Sequence, residues 1–260
     1  MKNYISHVVG TLVFIGAITL GGLYIKKDFF DLTSIISVAT SSPQSGDLSG
    51  LLIEQVPITP SSPAPDLKRF VLYSSTLTPE FRKVLEVELK KVIANLSKDS
   101  SSSDDWLQYG NLLNSAGDHQ GAIEVYNYVS LIRPGNIVSF GNAGDTYHYY
   151  LKDYTKAEIN LKKVIVNDPT YALGYKNLFD LYHLSYKKDT TLAEDALKQG
   201  IARLPKDINL PATLASYYLE KGRKSDAITY YEKALANAKE AKDQNAVSLL
   251  EPEIAKLKTN

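Results

Sequence analysis

Two triplets of polar residues repeat at one spacing: Asn142, Asp145 and His148, then Asn177, Asp180 and His183, each member three residues after the last. On a helix, residues three apart share a face, so each triplet would form a polar stripe. An amide, a carboxylate and an imidazole in line suit three kinds of chemistry. They can be a solvated face with no task. They can hydrogen-bond and attract a partner chain laid across them. Carboxylates and imidazoles from neighbouring helices could also hold a divalent metal, the basis of a metal-dependent hydrolase or a metal-binding protein. Nothing in the spacing makes the four groups converge, so no metal ligand, cofactor or catalytic residue is assigned. Gln108, Asn111 and Asn114 form a similar stripe before the triplets, and Thr213 and Ser216 a shorter one after them.

Other chemistry finds no support. No glycine-rich phosphate loop, Ser-His-Asp ordering or His-Glu-x-x-His segment is present. His7 lies in an apolar run and His119 in a turn signal, where a solvated residue is the plain reading. There is no cysteine, which excludes disulfides and thiolate chemistry without naming a compartment. Formal net charge is zero, so nothing points to nucleic acid. The compositional outlier is tyrosine, with 18 Tyr against 7 Phe and 1 Trp. Tyr128, Tyr149, Tyr150, Tyr154, Tyr171 and Tyr186 lie outside the periodic positions described next. They suit either packing between helices or a binding surface.

The elements that must carry the stripes show themselves by a long period. Proline recurs at 134, 169 and 205, and alanine at 122, 157, 193 and 227, so both types return every 34 to 36 residues. Equal spacing of unrelated residue types marks a repeated helix–turn–helix unit. The first unit carries Trp106, Tyr109, Gly110, Gly117-Asp118, Ala122, Tyr126 and Pro134. The second carries Phe140, Ala143-Gly144, Tyr147, Ala157, Leu161 and Pro169, with one extra residue expected in its inter-helix turn. The third carries Tyr175, Leu178-Phe179, Tyr182, Ala193, Leu197, Gly200 and Pro205, with two extra residues there. The fourth carries Leu214-Ala215, Tyr218, Gly222, Ala227, Tyr231 and Ala234. Gly110, Gly144 and Ala215 are expected where the two helices of a unit cross, opposite Ala122, Ala157 and Ala227, because small residues let backbones approach. Phe179 breaks this pattern and predicts a widened crossing relieved by Gly200.

Over about 137 residues these positions resemble the tetratricopeptide-repeat family, whose motif they match four times in tandem. The resemblance implies an all-α, right-handed superhelix in which first helices line a concave groove that binds extended or helical peptides. It would place Gln108, Asn111, Asn114, Asn142, Asp145, His148, Asn177, Asp180, His183 and Ser216 on the groove floor. Family members that clamp a carboxyl-terminal carboxylate use lysine, asparagine and arginine on consecutive first helices. Asn111 and Asn142 match the asparagines, but the basic positions fall on Leu107, Leu173 and Asn177, so that clamp is absent. With Asp145 and Asp180 in the groove, a basic or polar partner segment is expected instead.

The whole chain then divides into an anchor at 1–27, a linker at 28–77 and a solenoid at 78–260. The solenoid comprises a first helix at 79–97, repeats at 103–136, 137–171, 172–207 and 208–241, and a capping helix at 244–258, about ten helices in all. Thr78-Pro79 is a helix start signal, and Val247, Leu250, Ile254 and Leu257 stripe the capping helix. Residues 5–25 hold no formal charge apart from a protonated His7, and as a helix would span roughly 31 Å, near the bilayer core. A cleavage site at Ser37-Val38-Ala39 lies too far past the run, so an uncleaved single-pass anchor in the cell membrane is expected. Lys2 balances Lys26-Lys27, and the Ser/Thr/Pro-rich segment tips the expectation towards repeats outside the cytoplasm. Prolines 57, 60, 63 and 65 preclude a helix, and the linker reaches roughly 35 Å as a coil. The expected function is a membrane-tethered scaffold for a protein or peptide partner in a bacterial envelope, serving assembly of envelope complexes, with no enzyme activity.

Overall fold

A computed structural model describes residues 63–259 except 189, so the expected anchor and most of the linker lie outside the described residues. Among those described there are ten helices and no strand. They are α1 (Pro79–Lys98), α2 (Ser103–Ala116), α3 (His119–Ile132), α4 (Ile137–Asp145, continuing as a π-helical turn, Thr146–Leu151), α5 (Tyr154–Asn167), α6 (Ala172–Leu184), α7 (Leu192–Arg203), α8 (Asn209–Glu220), α9 (Lys224–Glu240) and α10 (Gln244–Thr259). Packing runs from each helix to the next, with α2 also touching α4. That is a stepwise stack, not a bundle around one centre. It follows from hairpins that cannot bury an apolar face alone.

Local chemistry explains the starts. Thr78, Ser102, Asp118, Asn136 and Asp153 each accept a hydrogen bond from the backbone three residues on, satisfying a free N–H of the first turn. Asp207 and Asp243 do the same for Leu210 and Ala246. The repeat glycines work one turn from the expected place. A Cβ on Gly110 would sit 2.6 Å from the Tyr126 ring, and one on Gly144 2.7 Å from Leu161, four residues beyond Ala122 and Ala157. The core is continuous from Leu89 to Ala227, and a second cluster joins Ala215 and Tyr231 to Leu250 and Ile254 of α10. That last helix continues past Pro252, which removes one hydrogen bond from it.

Three local expectations are corrected. The extra residue of the second repeat is not in the turn. It is taken up inside α4 as the π turn Thr146–Leu151, while the third repeat's surplus does lie in the loop between Leu184 and Leu192. Gly200 does not relieve Phe179: a Cβ there would meet Tyr175 at 2.8 Å and Leu210 at 2.9 Å. Phe179 instead stacks on His183 and meets Tyr217 edge-on, ring centroids 5.2 and 5.6 Å apart.

The third correction concerns residues 67–74, read as linker. They form a strap on the first hairpin, starting in a turn closed by the Arg69 N–H donating to the Asp66 carbonyl. Leu67, Val71 and Tyr73 pack against the core, whereas Phe70 and Leu72 are exposed, side chains alternating in and out from Phe70 to Tyr73. Arg69 lies over Gly121 and pairs with Asp118 at 3.4 Å and Glu124 at 2.6 Å. The Ser74 N–H donates to the Ala116 carbonyl at 2.7 Å, beside Gly117, whose φ of 98° favours glycine. Alternation over so short a run, flanked by prolines, left no legible signal.

Candidate functional site

The first helices of the four repeats, α2, α4, α6 and α8, carry the polar stripes, and the structure ties several of them together across repeats. Asn142 Nδ2 donates to Asn111 Oδ1 at 2.8 Å, and the Tyr126 hydroxyl donates to the same oxygen at 2.7 Å. Asn177 Nδ2 donates to both oxygens of Asp145, at 3.1 and 3.2 Å. The two asparagines that resemble a carboxylate clamp are therefore partly spent on joining α2 to α4. One junction on, an amide and a carboxylate join α4 to α6.

The remaining predicted residues disperse. Lys176 Nζ donates to Asp180 at 2.7 Å, an i,i+4 pair on α6. His183 Nε2 lies 3.0 Å from Glu220 on α8, between the rings of Phe179 and Tyr217. Asn114 meets His119 Nδ1 at 2.7 Å, and His119 stacks on Tyr150 with centroids 4.1 Å apart. Ser216 bonds the Tyr231 hydroxyl at 2.9 Å, and Gln108 is exposed. Asp145, Asp180, His148 and His183 thus face different partners. Among the described residues no three of His, Asp and Glu gather where a metal ion would need them.

His148 departs furthest from expectation. It is 1% exposed, its Nε2 2.9 Å from the Ser185 hydroxyl and its ring 4.0 Å from that of Tyr149. Burial holds its pKa below the usual histidine value, against the opposing pull of Asp180. The cause is the π turn. Its wider coil advances fewer degrees per residue, so a residue three after Asp145 no longer shares its face. His148 belongs to the packing between the second and third repeats, not to the groove floor.

Asp145 is the electrostatic outlier. It accepts only the Asn177 amide and forms no ion pair among the described residues, because Lys176 is engaged by Asp180. Burial, and then the charge of Asp180, raise its pKa to about 7 against the lowering influence of Lys176. Tyrosines surround it. Burial first, and then the Asp145 charge, push the hydroxyl pKa values of Tyr126 and Tyr171 upward; for Tyr149, Asp180 and Asp145 both add to burial. Tyr149 and Tyr171 remain 44% and 38% exposed, as aromatic surface beside the carboxylate. Further along the same face, Leu173, Lys176, Leu210, Ala212, Thr213 and Ser216 are among the residues lining a cleft of about 470 Å³ between α6 and α8. The aromatic members and Lys176 were visible in the sequence only as types; their convergence on Asp145 depends on how α3, α4 and α6 stack.

With this geometry in view, comparison with known proteins assigns the architecture. Residues 212–240, covering α8 and α9, match the family model for the tetratricopeptide repeat. The chain is similar to the crystal structure of MamA, with a TM-score of 0.50 at 19% identity over 63% of this chain and 94% of that one. Others include TTC0263, a thermophilic tetratricopeptide protein of Thermus thermophilus, with a TM-score of 0.45 at 19% identity over 70% and 94% of the two chains. YrrB, described as a tetratricopeptide protein with an unusual peptide-binding site, gives 0.43 at 11% identity over 65% and 93%. No curated protein matches the sequence. The described part of the chain has the fold of a tetratricopeptide-repeat α-solenoid, and its residues 212–240 match that repeat.

Proposed function

We propose that this protein is a membrane-tethered scaffold that captures a peptide segment of a partner protein along the first-helix face, and that it performs no chemistry of its own. The observation that carries the reading is the groove surface itself. It combines a stripe of amides and carboxylates, exposed tyrosines and a 470 Å³ cleft, a mixture suited to holding a chain by backbone and side chain together. The tether is residues 5–25, a run of membrane-spanning length followed by a Ser/Thr/Pro-rich segment. Among the described residues no helix is long and apolar enough to cross a membrane, so the tether rests on that run. The proposal places the repeats outside the cytoplasm, at a bacterial cell envelope, where such a scaffold would serve complex assembly.

Photocrosslinking in cells tests the groove. A photoreactive residue replacing Thr213, which lines the cleft, is expected to give a discrete protein adduct, and one replacing Val166, 76% exposed on α5, is expected to give none. Charge reversal by Asp145→Lys with Asp180→Lys is expected to remove the adduct. Adducts of equal yield from both positions, or none from Thr213, would overturn the reading. A topology reporter fused after Asn260 tests the side of the membrane.

A further inference from the structure

Among the described residues, Asp145 lacks the cation that Asp118, Glu158, Asp180 and Glu194 each have. The charged and titratable groups around it are Asp180 and Lys176 from α6, Tyr126 from α3, Tyr149 from its own helix and Tyr171 at the entry to α6. Two carboxylates therefore share one lysine, and that lysine sits on Asp180 at 2.7 Å. A partly buried carboxylate is commonly met by a cation or several donors, and Asp145 has one amide. Tyr149, four residues further along its helix, and Tyr171 at the entry to α6 are both exposed, and tyrosine rings attract cations.

We propose that Asp145, supported by Asp180 and walled by Tyr149 and Tyr171, receives one cationic side chain, lysine or arginine, from the captured peptide. This rests on the groove reading above and specifies the partner's chemistry. A cationic side chain supplies what the site lacks: a positive charge for Asp145, N–H donors for its remaining lone pairs, and a flat or slender stem to lie along the rings. A metal ion is the poorer guest, because no third ligand stands beside the two carboxylates among the described residues. The cleft between α6 and α8 begins at Lys176, next to Asp180, and offers the residues flanking the cation an apolar wall of Leu173, Leu210 and Ala212.

The test uses the full chain in detergent micelles and fluorescent seven-residue peptide pools, fixed at the central position as Arg, Lys, citrulline, Gln or Glu. Fluorescence anisotropy is expected to show the Arg and Lys pools binding about tenfold tighter than citrulline or Gln, the equivalent of about 1.4 kcal/mol. Asp145→Asn is expected to bring that ratio to within about twofold. The ratio is also expected to be larger at pH 8 than at pH 6, because proton and guest compete for the same oxygens. Equal binding of all pools, or a cation preference that survives Asp145→Asn, would overturn this proposal and leave the groove reading standing. Binding of no pool would bring down both.

Discussion

The carboxylates Asp145 and Glu158 lie thirteen residues apart in the same repeat and have opposite surroundings. Glu158, on α5, accepts from the Tyr182 hydroxyl at 2.6 Å, Lys162 at 2.8 Å and Lys187 at 2.9 Å. Burial alone would raise its pKa, but those three donors hold it down at about 2. Glu194 repeats the arrangement one unit later, with the Tyr218 hydroxyl, Lys198 and Arg223, and its pKa too is lowered by the donors against burial. Asp145, with one amide, is displaced in the other direction, to about 7. Glu158 and Glu194, on the second helices of their repeats, each have three donors and pin successive repeats. Asp145, on a first helix, has one. That contrast separates side chains that hold the stack together from one that is set up for a guest.

The comparison can be broken by substitution. Glu158→Gln strands a buried tyrosine hydroxyl and Lys187, and is expected to cost about 2 kcal/mol in urea unfolding. Combining it with Tyr182→Phe should show coupling of about 1 kcal/mol, and additive effects would mean that the pin is incidental. Asp145→Asn should act the other way and stabilise the free protein by about 1 to 2 kcal/mol at pH 8. A loss of stability there would remove the case for an unmet charge. Glu194→Gln should cost about 1 kcal/mol, less than Glu158→Gln, because its tyrosine hydrogen bond is longer, 2.9 against 2.6 Å, and less buried.

The pH dependence sharpens the same contrast. The folded-state pKa of Asp145 lies above its ordinary value of 3.8, so its ionisation penalises the fold increasingly as pH rises from there through about 7. The folded-state pKa of Glu158 lies below its ordinary 4.5, so its contribution is full above that value and is lost as pH falls towards about 2. Difference profiles against the parent should therefore slope in opposite directions: the relative stability of Asp145→Asn rises with pH between about 4 and 7, and that of Glu158→Gln falls between about 2 and 4.5. Slopes of the same sign would show that the two sites are not opposed.

The stack was legible because alanine recurs in all four hairpins and proline ends three of them, and backbone geometry leaves few alternatives at both. The pins were also present in the period, unread. Glu158, Tyr182 and Lys187 stand 1, 25 and 30 residues after Ala157, and Glu194, Tyr218 and Arg223 stand likewise after Ala193. The same places after Ala122 hold Ile123, Tyr147 and Lys152, so the first junction has an apolar contact where the next two have a charge. Of the groove stripe, sequence spacing identified Asn111, Asn142, Asp145 and Asn177 as facing one way. It could not show that Lys176 would be engaged by Asp180, nor that His148 would turn inward, because spacing rules assume an unbroken α-helix.

That break in α4 has a consequence for how the binding surface can change. A surplus residue held in a loop alters only the loop, whereas the surplus held within Thr146–Leu151 sets the phase between Asp145 and all that follows it in the helix. Deleting a single residue from the turn would rephase Tyr147 to Tyr150 relative to Asp145, changing which ring or imidazole borders the carboxylate and, with it, the seats of the buried Tyr147 and His148. One codon there ties the chemistry of the groove to the packing of two repeats.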